Sequence, residues 1–206
     1  TKTDTGKWTL TGANTYTGTT TISAGILNIQ NANALGASIS NDTTITSGAT
    51  LQIEGGITTP SAEGVTIRGV GASGATGAFQ NVAGINDWAG PVILGADSTI
   101  SSDAGMFNIN ITNTGTITGA TFDLTLTGAG NGTIASVIGT TSGTLIKTGS
   151  GKWPLTGLST YAGKTFIRDG TLEKVLHSSV FPNTSAEEDQ VIFRPMDFLS
   201  PLCSNF

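Results

Sequence analysis

Residues 2–27, KTDTGKWTLTGANTYTGTTTISAGIL, return 145 positions later as residues 147–172, KTGSGKWPLTGLSTYAGKTFIRDGTL. The two copies align without a gap and are identical at 15 of 26 positions. A unit of this length that recurs so faithfully is one supersecondary element. It cannot bury its apolar face alone and has to stack on neighbours of similar shape. Within the unit, Trp8 and Leu10 alternate with Lys7, Thr9 and Thr11, the period of a half-buried strand. Gly12-Ala13-Asn14 supplies turn residues, Thr20 and Ile22 open a second short strand, Ser23-Ala24-Gly25 turns again, and Leu27 and Ile29 form a third. Three short strands separated by tight turns make one coil of a β-helix.

The positions expected to carry that packing are Gly6, Trp8, Leu10, Gly12, Tyr16, Gly18, Ile22 and Gly25. In the second copy they are Gly151, Trp153, Leu155, Gly157, Tyr161, Gly163, Ile167 and Gly170. Between the copies the rhythm continues in apolar segments at 43–45, 50–53, 65–67, 92–94, 106–111, 122–126, 133–138 and 144–146, punctuated by Gly or Asn. No stretch shows ten residues of helical spacing. The reading is all-β, a parallel β-solenoid of about seven or eight rungs over residues 1–172, on the order of 35–40 Å long at about 4.8 Å per rung. A sandwich of antiparallel sheets also fits periodicity alone; the gapless repeat favours the solenoid.

The string Gly-Lys-Trp-Thr-Leu-Thr-Gly-Ala-Asn-Thr-Tyr-Thr-Gly followed by Thr-Thr-Ile-Ser-Ala-Gly closely resembles the autotransporter-associated β-strand repeat, found in passenger regions of type V secreted proteins of Gram-negative bacteria. The resemblance covers both copies. Residues 129–144 look like the lead-in that often precedes the motif. The second copy departs at Pro154, Phe166 and Arg168; Pro154 removes a ladder donor, so that strand should be shortened or locally at an edge. The resemblance implies a right-handed parallel β-helix exported through an outer-membrane translocator barrel of the same parent chain, absent from this sequence. It further implies a cell-surface or secreted location and a role in secretion and display, not catalysis.

Composition fits such a chain. Charged residues are only 11% and the net charge is −5, with no Lys/Arg cluster in the Gly/Thr-rich region, so nucleic acid is an unsuitable partner. The single cysteine, Cys203, forms no intrachain disulfide, and low charge with local rung-to-rung contacts suits threading through a narrow pore. No signal peptide is visible, and because the first residue already lies inside a repeat, the sequence reads as a fragment of a longer secreted chain.

Chemistry is sparse. His177 is the only histidine, so neither a His-based triad nor a His metal cluster assembles, and no cofactor or metal is expected. Asp87, Asp97, Asp103 and Asp123 are isolated; solvated turn aspartates are the plain reading, against the carboxylate pair of a polysaccharide-cleaving β-helix enzyme. Gly69-Val70-Gly71-Ala72-Ser73-Gly74 matches a dinucleotide fingerprint only superficially, because no helix follows. Trp8, Trp153, Tyr16 and Tyr161 recur at matched positions, as packing anchors do. Asp87 and Trp88 have no counterpart in the repeats and read as a loop, the first place to expect a ligand. The alternative to the scaffold is an adhesin-type module that contacts host or neighbouring cells, by surface glycans or proteins, through loops on the side of the solenoid.

Residues 173–206 differ from everything before them. They contain no glycine, three prolines, four phenylalanines, the only Cys and the only His. The expectation is a frameshifted or fused, poorly ordered end, with a genuine cap over the last rung as the alternative.

Overall fold

The computed structural model describes residues 1–37, 43–109 and 116–174, all of them strand, turn or loop with no helix among them. Every strand pairing is parallel, and the strands stack as three faces of a solenoid. Face A stacks β2 (Thr20–Ile22), β4 (Thr43–Ile45), β6 (Val65–Gly69), the first part of β9 (Val92–Ser102), β11 (Thr116–Thr118) and β14 (Val137–Gly139). Face B stacks eight strands: β1 (Lys7–Leu10), β3 (Gly25–Ile29), β5 (Ala49–Glu54), β7 (Phe79–Ala83), the second part of β9, β12 (Leu124–Thr127), β15 (Leu145–Lys147) and β17 (Thr165–Ile167). Face C stacks β8 (Ile85–Trp88), β10 (Met106–Ile109), β13 (Asn131–Ile134), β16 (Lys152–Leu155) and β18 (Thr171–Lys174). The chain therefore winds about seven turns, as the repeat predicts. Because β9 runs around the corner between faces A and B, those two faces form one continuous 13-stranded sheet.

In-register stacking turns single residues into columns. Along face B the inner column runs Trp8, Leu27, Leu51, Phe79, Ile100, Leu126, Lys147, Ile167. Beside it Leu10, Ile29 and Ile53 stack, followed by Asn81 and Ser102. On face C the inner columns are Asn86, Phe107, Gly132, Trp153, Leu172 and Trp88, Ile109, Ile134, Leu155. At each interior site the neighbours above and below are the residues one coil away, so burial is a property of the stack and not of the single strand. The outer side of face B carries a ladder of side-chain amides: Asn28 Nδ2 donates to Gln52 Oε1 (3.5 Å), Gln52 Nε2 to Gln80 Oε1 (2.9 Å), and Gln80 Nε2 to Asp103 Oδ2 (2.5 Å). Successive coils thus pair through their outer side chains as well as their backbones.

Most of the segments expected as strands are strands. The segment 133–138 is instead two strands, β13 and β14, that belong to different faces, with a corner at Ala135-Ser136. Residues 110 and 111 of the expected segment 106–111, and all of 173–206 beyond Lys174, including His177 and Cys203, lie outside the described residues.

One expectation is corrected outright. Asp87 and Trp88 do not form a loop: they sit in β8, and Trp88 is fully buried. Its ring packs edge-on against Phe79 at 4.9 Å between centroids, and Phe79 packs likewise against Phe107 at 4.8 Å. T-shaped contacts at these distances are the favoured aromatic arrangement. The loop reading failed because Asn86 and Asp87 look like turn residues. Asn86 instead fills the inside corner between β7 and β8, donating to Asn81 Oδ1 (2.6 Å) and Ala83 O (2.8 Å) and accepting from Ile57 N–H (2.8 Å). With Trp88 at the centre of the stack, Trp88→Ala should cost about 3–5 kcal/mol of stability, whereas Asp87→Ala, on the outer side, should cost about 1 kcal/mol. Urea unfolding followed by far-UV circular dichroism checks both.

Candidate functional site

The two repeat copies share one set of contacts, and that set is a clasp between successive coils. Lys2 Nζ donates to Asp4 O (2.6 Å) and Ala24 O (3.0 Å). Lys147 Nζ donates to the carbonyls of Thr148 (2.6 Å), Gly149 (2.5 Å) and Asp169 (3.2 Å). Positions 4 and 24 correspond to 149 and 169, so each ammonium is held by one turn of its own coil and one turn of the next. Gly25 and Gly170 occupy the same point of the clasp with φ of 65° and 72°. A Cβ on Gly25 would run into the backbone of Asp4 and Gly6, and one on Gly170 into Gly149 and Gly151. Only glycine fits a left-handed turn pressed this closely on another backbone. Tyr16 and Tyr161 repeat as well, pairing with Thr20 Oγ1 (2.7 Å) and Thr165 Oγ1 (2.8 Å).

Local identity hides a difference in placement. The first copy starts on face A, with Lys2 bridged to Ile22, and continues on face B with β1 against β3. The second starts on face B, with β15 against β17, and continues on face C with β16 against β18. The 145-residue offset is therefore not a whole number of turns, and the copies are related by a shift of one face around the axis. The clasp is portable because its contacts are confined to two adjacent coils.

Surroundings then differ. Lys147 lies in the apolar column between Leu126 and Ile167 with no solvent-exposed surface. Position 149 is glycine, so the carboxylate that Asp4 offers Lys2 at 3.3 Å has no equivalent. Burial pushes the Lys147 ammonium down to about 8, with Asp169 pulling the other way. Trp153 is buried and Gly132 of the preceding coil makes its room, since a Cβ there would strike the indole ring. Trp8, on the first coil, is 53% exposed. Pro154 leaves β16 at its full four residues, but the ladder to β13 shrinks to the single pair Ile134↔Leu155, while all four residues pair with β18 on the other side. Lys152 N–H turns to the Asn131 side chain instead (2.9 Å).

The acidic residues are used structurally. Asp97 Oδ1 accepts from Asp123 N–H (2.9 Å), and Asp123 Oδ1 accepts from Thr144 N–H (2.7 Å), each carboxylate tying its turn to the next coil. Asp103 accepts from Thr76 Oγ1 (2.5 Å) and Gln80, and Asp87 from Thr58 Oγ1 (2.9 Å) and Asn108 Nδ2 (2.8 Å). Asp97 and Asp103 have separate partners and do not converge on a groove. Among the described residues no three His, Cys, Asp or Glu side chains are grouped to hold a metal ion. Sequence reasoning did not foresee the role of Lys2 and Lys147. The signal was present: a lysine conserved between the copies just ahead of a turn, in a chain with few charges.

The family model of the passenger-associated-transport-repeat matches residues 1–29 and 145–173. The chain carries two passenger repeats. Each matched span contains one of the two clasps. No curated protein and no solved structure matches the chain.

The clasp of the second passenger repeat yields a pH signature. Lys147 loses its proton near 8 when folded and near 10.5 when unfolded, so the folded state binds fewer protons between those values. Stability should therefore rise as pH climbs from about 8 to 10.5. Lys147→Met should flatten that rise relative to the parent chain, a comparison in which the other lysines and the tyrosines cancel. Thermal melting across this pH range is the check; parallel pH profiles for the two proteins would contradict the assignment.

Proposed function

We propose that this chain is a structural passenger segment of a Gram-negative autotransporter, a β-helical scaffold that is displayed at or released from the cell surface and assists its own export. The single observation that carries the proposal is the unbroken parallel stack, clasped near both ends by passenger repeats. Each coil contacts mainly its immediate neighbours, so a chain emerging through a narrow pore folds progressively, coil on coil, before the whole of it is outside. The free energy released by each added coil then opposes backward sliding, giving direction without a nucleotide fuel. The partner in this reading is a translocator barrel of the same parent chain.

A polysaccharide-cleaving activity has no support from Asp87, Asp97, Asp103 and Asp123, each of which is engaged with a turn or an outer side-chain ladder. The alternative, an adhesin-type module that contacts surface glycans or proteins through solenoid loops, would use loops other than Asp87-Trp88, which lies in strand β8 with Trp88 buried.

The export role is tested by placing the chain between a secretion leader and an outer-membrane barrel in a Gram-negative cell and following surface protease accessibility with time. Leu126→Asp, which puts a charge into the inner column, should slow surface appearance several-fold. Thr125→Asp, one residue away on the outer side, should not. Equal export of both variants and the parent would refute the proposal.

A further inference from the structure

A stack of coils can begin to fold anywhere, and the starting place is set by where two neighbouring coils gain most from meeting. In this chain that place is the coil β6–β8 together with the coil β9–β10, residues 65–109. Among the described residues this junction alone is laddered on all three faces. Both β6 and β7 pair with β9, on faces A and B, and all four residues of β8 pair with β10 on face C. Every other junction drops to a single pair, or to no strand pairing, on at least one face. The single pairs are Lys2↔Ile22 and Thr58↔Asp87 on the N-terminal side, and Thr118↔Ile93 and Ile134↔Leu155 on the C-terminal side.

Strand β9 is the cause. Its eleven residues, against three to six in every other strand, carry the chain around the corner between faces A and B without leaving the ladder. Side chains reinforce the same junction from within and without. Phe79 packs edge-on against Trp88 of its own coil and Phe107 of the next, and all three rings are fully buried. At the inside corner Asn81 Nδ2 donates to Ser102 Oγ (3.0 Å) and Ala104 O (2.9 Å). On the outside Gln80 Nε2 and Thr76 Oγ1 both donate to the Asp103 carboxylate. Asn81 and Ser102 are 21 residues apart, Gln80 and Asp103 23, and Thr76 and Asp103 27. Closing about one turn of chain therefore brings all these contacts together, and the entropy lost in closing it is no greater here than at any other coil.

We propose that the coils β6–β8 and β9–β10 are the folding nucleus of the stack, and that their meeting outside the cell, not that of the end coils, is the step that stops the emerging chain from sliding back. The second half of this inference rests on the export reading given above; the first half does not. Passenger repeats and nucleus then divide the work. The clasps fasten coils near the two ends of the stack, and the central pair decides when the stack begins to form.

Refolding and unfolding of the full chain in urea, followed by stopped-flow circular dichroism, test the nucleus. Phe107→Leu should slow refolding about fivefold, with most of its lost stability appearing in that rate. Leu27→Ala and Leu155→Ala, which delete the same number of carbon atoms from coils nearer the ends, should leave refolding within about twofold and speed unfolding instead. Should Phe107→Leu fail to fold, Gln80→Ala on the outer side of the same pair carries the comparison. An equal share of the lost stability in the refolding rate for central and end-coil variants, or a larger share at Leu27 or Leu155, overturns the nucleus. In the export assay described above, Phe107→Leu should delay surface appearance more than Leu155→Ala. An equal delay for the two, with the refolding difference intact, overturns the link between nucleus and export. No delay from either variant overturns the export reading itself and leaves the nucleus to the refolding rates.

Discussion

Everything in this molecule depends on parallel pairing that keeps the same register from one coil to the next. Parallel strands offer their hydrogen-bonding groups to both neighbours, and a side chain pointing inward meets the side chain one turn away. Register is what converts a chain of short, Thr- and Gly-rich strands into continuous columns such as Leu27-Leu51-Phe79-Ile100-Leu126. A slip of one residue would turn those columns outward and bring the Asn28-Gln52-Gln80 ladder inside. The amide ladder on one side and the apolar columns on the other therefore enforce one alignment. Two register shifts are tolerated, both adjoining corners: between Ile53 and Glu54, and between Ile67 and Gly69.

Within that constraint the passenger repeats have a particular task. A solenoid strand of three to six residues is too short to hold itself, and the carbonyls of the turns at its ends need donors from outside the strand. The clasp answers both problems at once. A lysine stem runs inside the column, its ammonium gathers carbonyls from two successive turns, and a glycine lets the two backbones touch. Because the contacts involve just two coils, the clasp works on faces A and B or on faces B and C alike. That independence from position is what a repeat needs if it is to recur at an offset that is not a whole number of turns.

The fold class was legible because strand period, turn residues and a gapless internal repeat agreed with one another. The strands at 43–45 and 65–67 were readable from apolar alternation alone. What escaped was hidden by polar residues doing interior work. Phe79-Gln80-Asn81 reads poorly as a strand, yet Asn81 fills an inner corner by bonding Ser102 and Ala104, and Gln80 belongs to the outer ladder. Asn86-Asp87-Trp88 looked like a loop because a corner asparagine and a turn asparagine share a composition. The site residues of the repeats were identifiable as a pattern, but their exposure was not. Trp8 and Trp153 occupy equivalent positions of the repeat but lie on different faces, and Gly132 of the preceding coil packs on Trp153 alone. Pro154 was readable as a missing donor, and the structure shows its effect to be a weakened ladder on one side of an intact strand.

Seen this way the chain is a one-dimensional object whose stability is laid down coil by coil, and that claim is open to direct measurement. Amide hydrogen exchange read segment by segment under native conditions reports the opening free energy of each coil. The account predicts the slowest exchange in the middle of the stack, over β5, β7 and β9, falling in steps toward β1 at one end and β18 at the other. A single uniform exchange rate across all the strands, as from one all-or-none opening, would contradict it.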